Sequence, residues 1–222
     1  MDKKSIENAL DNVYSSAKER KFDESIELIM TFKNLNIKNK EHRVDYFVAL
    51  PHPYLSKVRS LVFVKDKHLA EGLKGVVDKI ILDEEIPKIQ KKDAKKMSAE
   101  YDVFLAEGPV MLTIGKYLGQ VLSPRGKMPT IAPPNPQAIK VLIDAAPSKV
   151  KVSNTKNKSS VALQLKIGRR SMAKPEVADN VMAIYNSIIE KLPAGKHNVK
   201  ALYVKTTMSK PQKVGDAEWL DT

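Results

Sequence analysis

Three short stretches of this 222-residue sequence gather side chains suited to gripping phosphates, sugars and bases. Lys166-Ile-Gly168-Arg169-Arg170-Ser171-Met172 sets three cations and a hydroxyl around a glycine where a strand ends, so side chains and backbone amides can approach phosphates closely. An ordinary solvated turn would use the same residues. Lys205-Thr206-Thr207-Met208-Ser209-Lys210 holds three hydroxyls between two lysines. Hydroxyls can hydrogen-bond a ribose 2′-OH, and the thioether can pack on a sugar or base face. A plain strand end is the alternative reading. Lys21-Phe22-Asp23-Glu24-Ser25 places one aromatic in a polar run, where it could stack on a nucleotide. Phe22 also continues the even-numbered apolar series 26, 28, 30, 32, so burial is an equal expectation.

Catalytic chemistry has little to draw on. The sequence has no cysteine, which excludes disulfides, thiolate zinc sites and cysteine nucleophiles. Its histidines, His42, His52, His68 and His197, are scattered singly, so no metal-binding helix face forms. Ser123-Pro-Arg125-Gly126-Lys127-Met-Pro129 is a rigid basic loop, but six residues lie between Gly119 and Gly126 where a P-loop has four, and Met128 follows Lys127, so it is no phosphate-binding P-loop. Residues 65–68 lack the glycine of a dinucleotide fingerprint. Asp83, Glu84 and Glu85 are carboxylates without partners, better read as capping or solvating a helix that starts near Ile86. No catalytic residue, metal site or cofactor is expected.

Charge points to a polyanion. Lys plus Arg outnumber Asp plus Glu by 38 to 26, a formal +12 with a pI near 9.6, and clustered cations gain by displacing a polyanion's counterions. The net charge is 0 over residues 1–56, +4 over 57–148 and +8 over 149–222, even though Asp216, Glu218 and Asp221 fall in the last stretch. No run approaches the roughly 18 apolar residues of a spanning helix, and residues 1–10 lack a signal peptide's apolar core. The expectation is a soluble, intracellular protein with no membrane partner.

These residues need elements to carry them. Ile6, Ala9, Leu10, Val13 and Ala17 predict an amphipathic helix over 5–19 with Ser5 as cap. Alternation of Ile26, Leu28, Met30 and Phe32, then of Val44, Tyr46, Val48 and Leu50, predicts two strands closing a hairpin across a polar loop at 34–42. Residues 57–148 alternate strands (58–64, 76–82, 101–106) with helices (68–74, 86–100, 111–122 and one from Asn135-Pro136), the pattern of a parallel sheet covered by helices. Hairpin chemistry returns with Val150 and Val152, a turn at 154–158, and Val161, Leu163, Leu165 and Ile167. A helix from Pro175 and a strand over 199–205 follow. Neither flank can build a good core alone. The expected fold is therefore α/β and α+β: a discontinuous antiparallel α+β domain from both termini (1–56 and 149–222), interrupted by an inserted α/β domain (57–148). Two side-by-side crossings, 51–56 and 145–148, would make a hinge.

Ile114-Gly-Lys-Tyr-Leu-Gly-Gln-Val-Leu-Ser-Pro-Arg-Gly-Lys-Met-Pro129 resembles the signature of the ribosomal protein L-one family, the protein of the ribosome's mobile side stalk. Further matches are Lys21-Phe22-Asp23-Glu24, Leu50-Pro51-His52, Gly168 to Met172 and Thr206-Thr207-Met208, in the family's order over nearly the whole chain. Ser123 and Lys127 stand where bacterial members usually have Gly and Leu, which looks archaeal; Ser209 replaces a family glycine.

The resemblance implies a terminal α+β domain interrupted by a Rossmann-like α/β domain, and a monomer when free that joins the large ribosomal subunit of the cytoplasmic ribosome. Its partners would be large-subunit ribosomal RNA, exit-site transfer RNA during release, and the messenger RNA of its own operon, which it would repress. The implied RNA contacts are Lys21, Phe22, Glu24 and Ser25; Lys166, Gly168, Arg169, Arg170, Ser171 and Met172; and Thr206, Thr207, Met208 and Ser209. Arg125 and Lys127 would make a secondary RNA or transfer RNA contact. The competing expectations are a general nucleic-acid-binding protein outside the ribosome and an α/β enzyme with a site between the lobes.

Overall fold

The structure, a computed structural model, describes residues 2–35, 39, 42–55, 58–154 and 162–215. Its contacts divide the chain into two units: Met1–Leu55 with Ser148–Thr222, and Ser56–Pro147. The fold is mixed α/β with several sheets.

In the first unit, β1 (Ser25–Phe32) lies between β8 (Ala162–Arg169) and β9 (Val199–Thr206), both antiparallel to it, and the two-residue β10 (Gln212–Lys213) closes the edge beyond β9. The even residues of β1 are buried and the odd ones half-buried, as its period of two requires. α1 (Lys3–Ser16) and α7 (Lys174–Lys191) supply the other side of this core through Ile6, Leu10, Val177, Val181, Ile184 and Ile188. Asp2, and not Ser5, is the residue that caps α1, and its side chain makes no capping bond.

The expected hairpins do not form. β2 (Asp45–Ala49) pairs with β7 (Lys149–Ser153), far away in sequence, as a separate antiparallel ribbon, and β1 and β8 pair with each other. Alternation reports which face of a strand is buried and carries no information about its partner. The ribbon's inward residues, Tyr46, Val48, Val150 and Val152, join the helix-backed core, and Tyr46 donates to the Ser187 carbonyl at 2.8 Å. Buried Asn180 on α7 accepts from the His52 amide and donates to the carbonyls of His52 and Ile167, each at 3.0 Å. It ties the 50–52 stretch to β8. The turn expected at 154–158 lies outside the described residues apart from Asn154.

The second unit has a parallel sheet in the order β4 (Lys79–Leu82), β3 (Ser60–Val64), β5 (Val103–Glu107), β6 (Thr130–Ala132). Every residue of β3 is buried, as a central strand covered on both faces demands. Around it stand α2 (Lys67–Gly72), α3 (Lys91–Glu100), α4 (Val110–Tyr117), α5 (Gly119–Leu122) and α6 (Pro136–Ala145). Asn135 caps α6 by accepting from the Gln137 amide at 3.0 Å, with Pro136 in the first turn as its sequence implied. Two expected helices are broken. Pro87 sits in a 3-10 turn, Asp83–Lys88, and extended backbone at Ile89 and Gln90 separates it from α3. The apolar helix divides at Leu118 into α4 and α5. The acidic Asp83, Glu84 and Glu85 lie in the first turn of that 3-10 segment but make no side-chain cap.

Candidate nucleic-acid interface

At one end of the antiparallel sheet three segments meet: the approach to β1, the exit from β8 and the exit from β9. The strand register forces this, since Ser25 lies opposite Arg169 and Ile26 opposite Thr206. The register shifts opposite Ile26 and Glu27, where β8 carries one extra residue, Ile167.

The segments are held by two neighbouring acids. Glu24 is only 1% exposed; its carboxylate accepts from the Met208 amide at 3.1 Å and from the Arg170 guanidinium at 3.4 Å. Arg170 also donates from its amide to the Glu24 carbonyl (2.8 Å) and from its guanidinium to the Lys18 carbonyl (3.2 Å). One buried carboxylate thus joins loops that are 146 and 184 positions away in sequence. Asp23 does the same nearer the surface, accepting from the Ser171 amide (3.1 Å) and hydroxyl (2.8 Å), with the Arg169 guanidinium at 3.6 Å. The Thr207 amide and hydroxyl both reach the Ser25 carbonyl, at 3.0 and 3.3 Å. Ser209 accepts from the Thr206 amide at 2.9 Å and fixes the turn where the sequence departs from glycine.

Above this bracing two apolar side chains stand out, Phe22 at 55% and Met208 at 58% exposure. Thr207 and Ser171 are exposed beside them, and Lys21 and Arg20 are exposed on the approach. A cleft of about 410 Å³ opens next to Met208, walled by Lys18, Arg20, Glu24 and Lys210. Tyr14 lies beneath Arg170, its ring 6.0 Å from the guanidinium carbon. Burial pushes its phenol up to about 12, against a smaller downward pull from Arg170.

Not all the expected contacts are at the surface. Thr206 is fully buried and its hydroxyl has no partner. Gly168 is buried under α7: a side chain there would meet Val177 at 3.2 Å and Met172 at 3.5 Å, so its bareness serves helix packing rather than approach to a phosphate. Met172 is half-buried against the core. Lys166 sits on the sheet face opposite α1 and α7, across from Glu27, with Tyr54 at 5.8 Å. Asp23, which composition marks only as one acid in a polar run, was missed as a brace.

In the other unit, exposed Arg125 and half-buried Lys127 are hydrogen-bonded to α3 and the residue that ends it. The Arg125 guanidinium donates to the Lys95 carbonyl at 2.9 Å and to the Ser98 hydroxyl, and the Lys127 ammonium donates to the Tyr101 carbonyl at 2.6 Å. Lys127 thereby places its charge at the C-terminal end of α3, where positive charge is favoured, while Arg125 bonds the middle of the helix. Gly126 takes the left-handed conformation, φ 67°, that lets the loop reverse between them.

The three loops thus present hydroxyls, a thioether, an aromatic ring and cations over backbone held by Glu24 and Asp23, the groups from which a binding surface is made. A sequence profile of the Ribosomal protein L1p/L10e family matches residues 14–210. The chain is 38% identical over 220 residues to the large ribosomal subunit protein uL1 of Thermoplasma volcanium, covering 98% of this chain and 99% of that one. The uL1 proteins of Methanocella arvoryzae (35% over 216 residues, 96% and 100% covered) and Pyrococcus abyssi (32% over 215 residues, 96% of each) are similar along the same length. The chain belongs to the ribosomal protein L1p/L10e family. It is a structural protein of the cytoplasmic ribosome and not an enzyme. No helix among the described residues is long and apolar enough to cross a membrane.

Proposed function

We propose that this chain binds the side-stalk region of large-subunit ribosomal RNA through the three-loop surface, as part of the large subunit. On this reading residues 1–56 and 149–222 form the RNA-binding domain, and 57–148 an inserted Rossmann-like domain. Phe22, Ser25, Arg169, Arg170, Ser171, Thr207 and Met208 present the contact surface; Glu24, Thr206, Gly168, Met172 and Ser209 shape it from beneath. The supporting observation is the Glu24 and Asp23 bracing, which fixes the loops before any ligand arrives and so lowers the ordering cost of binding. Cations supply salt-sensitive affinity, and the hydroxyls and thioether supply discrimination for RNA. The same surface would let free monomer bind its own messenger RNA and repress translation, while the inserted domain takes part in release of exit-site transfer RNA.

Thr207→Val and Met208→Asp are expected to weaken binding of stalk RNA at least tenfold with unchanged thermal unfolding, on the scale of about 1.4 kcal/mol per lost recognition contact. Undiminished affinity in filter binding rules out this surface. Equal binding of matched DNA would instead favour a general nucleic-acid-binding protein.

A further inference from the structure

The β2–β7 ribbon has an outward face that plays no part in the three-loop surface. Its register sets Asp45, Phe47 and Ala49 against Ser153, Lys151 and Lys149, while the alternate residues are locked into the core. The outward set is therefore fixed by the strand period and cannot slip inward. Phe47 stands at its centre, 64% exposed. Among the described residues of this unit the exposed large apolar side chains are Phe22, Met208 and Phe47. The first two belong to the loops above; Phe47 is the one carried by a regular strand. The Lys151 ammonium lies 5.9 Å from its ring centre and 3.1 Å from Asp45, and Lys149 and exposed Arg43 add positive charge at either end.

We propose that this face is a second RNA contact, which holds an unpaired strand by stacking a base on Phe47 while Lys149, Lys151 and Arg43 follow its phosphates. It goes beyond the stalk-RNA reading and uses none of the residues of that site. Flat, strand-borne aromatics flanked by cations suit single strands, because every base offers a face to stack and no groove has to be entered. A paired A-form helix buries its base faces and offers the ring nothing to stack on. A protein partner fits less well: one ring is far short of the apolar core of a stable interface, and lysines are depleted there.

The test places the reporter at the ring. In Phe47→Trp carrying Trp219→Phe, which leaves one tryptophan, oligouridylate is expected to quench fluorescence and inorganic polyphosphate is not. Phe47→Ala should lower oligouridylate affinity about tenfold, with Phe47→Trp retaining it and thermal unfolding unchanged in both. Equal response to oligouridylate and polyphosphate, absence of quenching, or full affinity in Phe47→Ala overturns the proposal. Met208→Asp should leave the quenching intact while weakening stalk-RNA binding. Loss of stalk-RNA binding by the parent protein would therefore remove the earlier reading and not this one.

Discussion

Two basic loops of this chain, 166–172 and 123–129, have similar compositions and opposite fates. In the first, acids from a distant segment neutralise Arg169 and Arg170 and hold the backbone, so that Ser171 and the neighbouring Thr207, Met208 and Phe22 face solvent. In the second, among the described residues, no acid pairs with the cations: Arg125 donates to the Lys95 carbonyl and the Ser98 hydroxyl within α3, and Lys127 to the carbonyl of Tyr101 at its C-terminus. The lesson is that cation count alone does not mark an interface. What marks it is a set of exposed hydroxyls and stackable side chains over loops that two acids from a distant segment hold in place.

The strongest way to break this comparison is at Glu24. Glu24→Ala leaves the Met208 amide and the Arg170 guanidinium without their buried acceptor, which should cost about 3 kcal/mol in denaturant unfolding and abolish stalk-RNA binding together. A variant that keeps full stability would show that the loops are not held by this carboxylate. Arg125→Ala should cost about 1 kcal/mol of stability through its lost bonds to the Lys95 carbonyl and Ser98 hydroxyl while stalk-RNA affinity stays unchanged. A large loss of affinity with unchanged melting would reverse the roles assigned to the two loops. The smallest effect is expected at Tyr14. Its folded-state phenol is raised to about 12, so the neutral form is favoured by folding. That contribution is present below the ordinary tyrosine range near 10 and is lost as pH rises through 12. Burial raises Tyr46, Tyr101 and Tyr185 as well, so near-ultraviolet titration should show several late-ionising tyrosines, with one fewer in Tyr14→Phe.

Much of the architecture was legible. The alternation of Ile26, Leu28, Met30 and Phe32, and the cap and proline at Asn135-Pro136, correspond to elements found at those positions. The pairing of strands was not, because Val48 and Val150 carry a period that any partner would satisfy. β6 and β10, three and two residues long, are too short to show a period at all. The 86–100 helix failed at Pro87, where a residue compatible with a first turn sits in a turn of its own. For the site, the sequence marked all three loops but could not say which members face outward. A buried Glu24 and a solvated Glu24 look the same in a polar run, and Thr206 and Thr207 differ only through the sheet register.

The bridging role of Glu24 has a consequence in the order of synthesis. Its partners lie at positions 170 and 208, so the brace is complete only after both have been made. An unfinished chain that already holds β1 and β8 lacks the Met208 amide and the turn that carries Thr207. Such a fragment has the positive charge but not the assembled surface. The three-loop site is therefore assembled only once residue 208 has been made, and a shorter fragment has no braced copy of it.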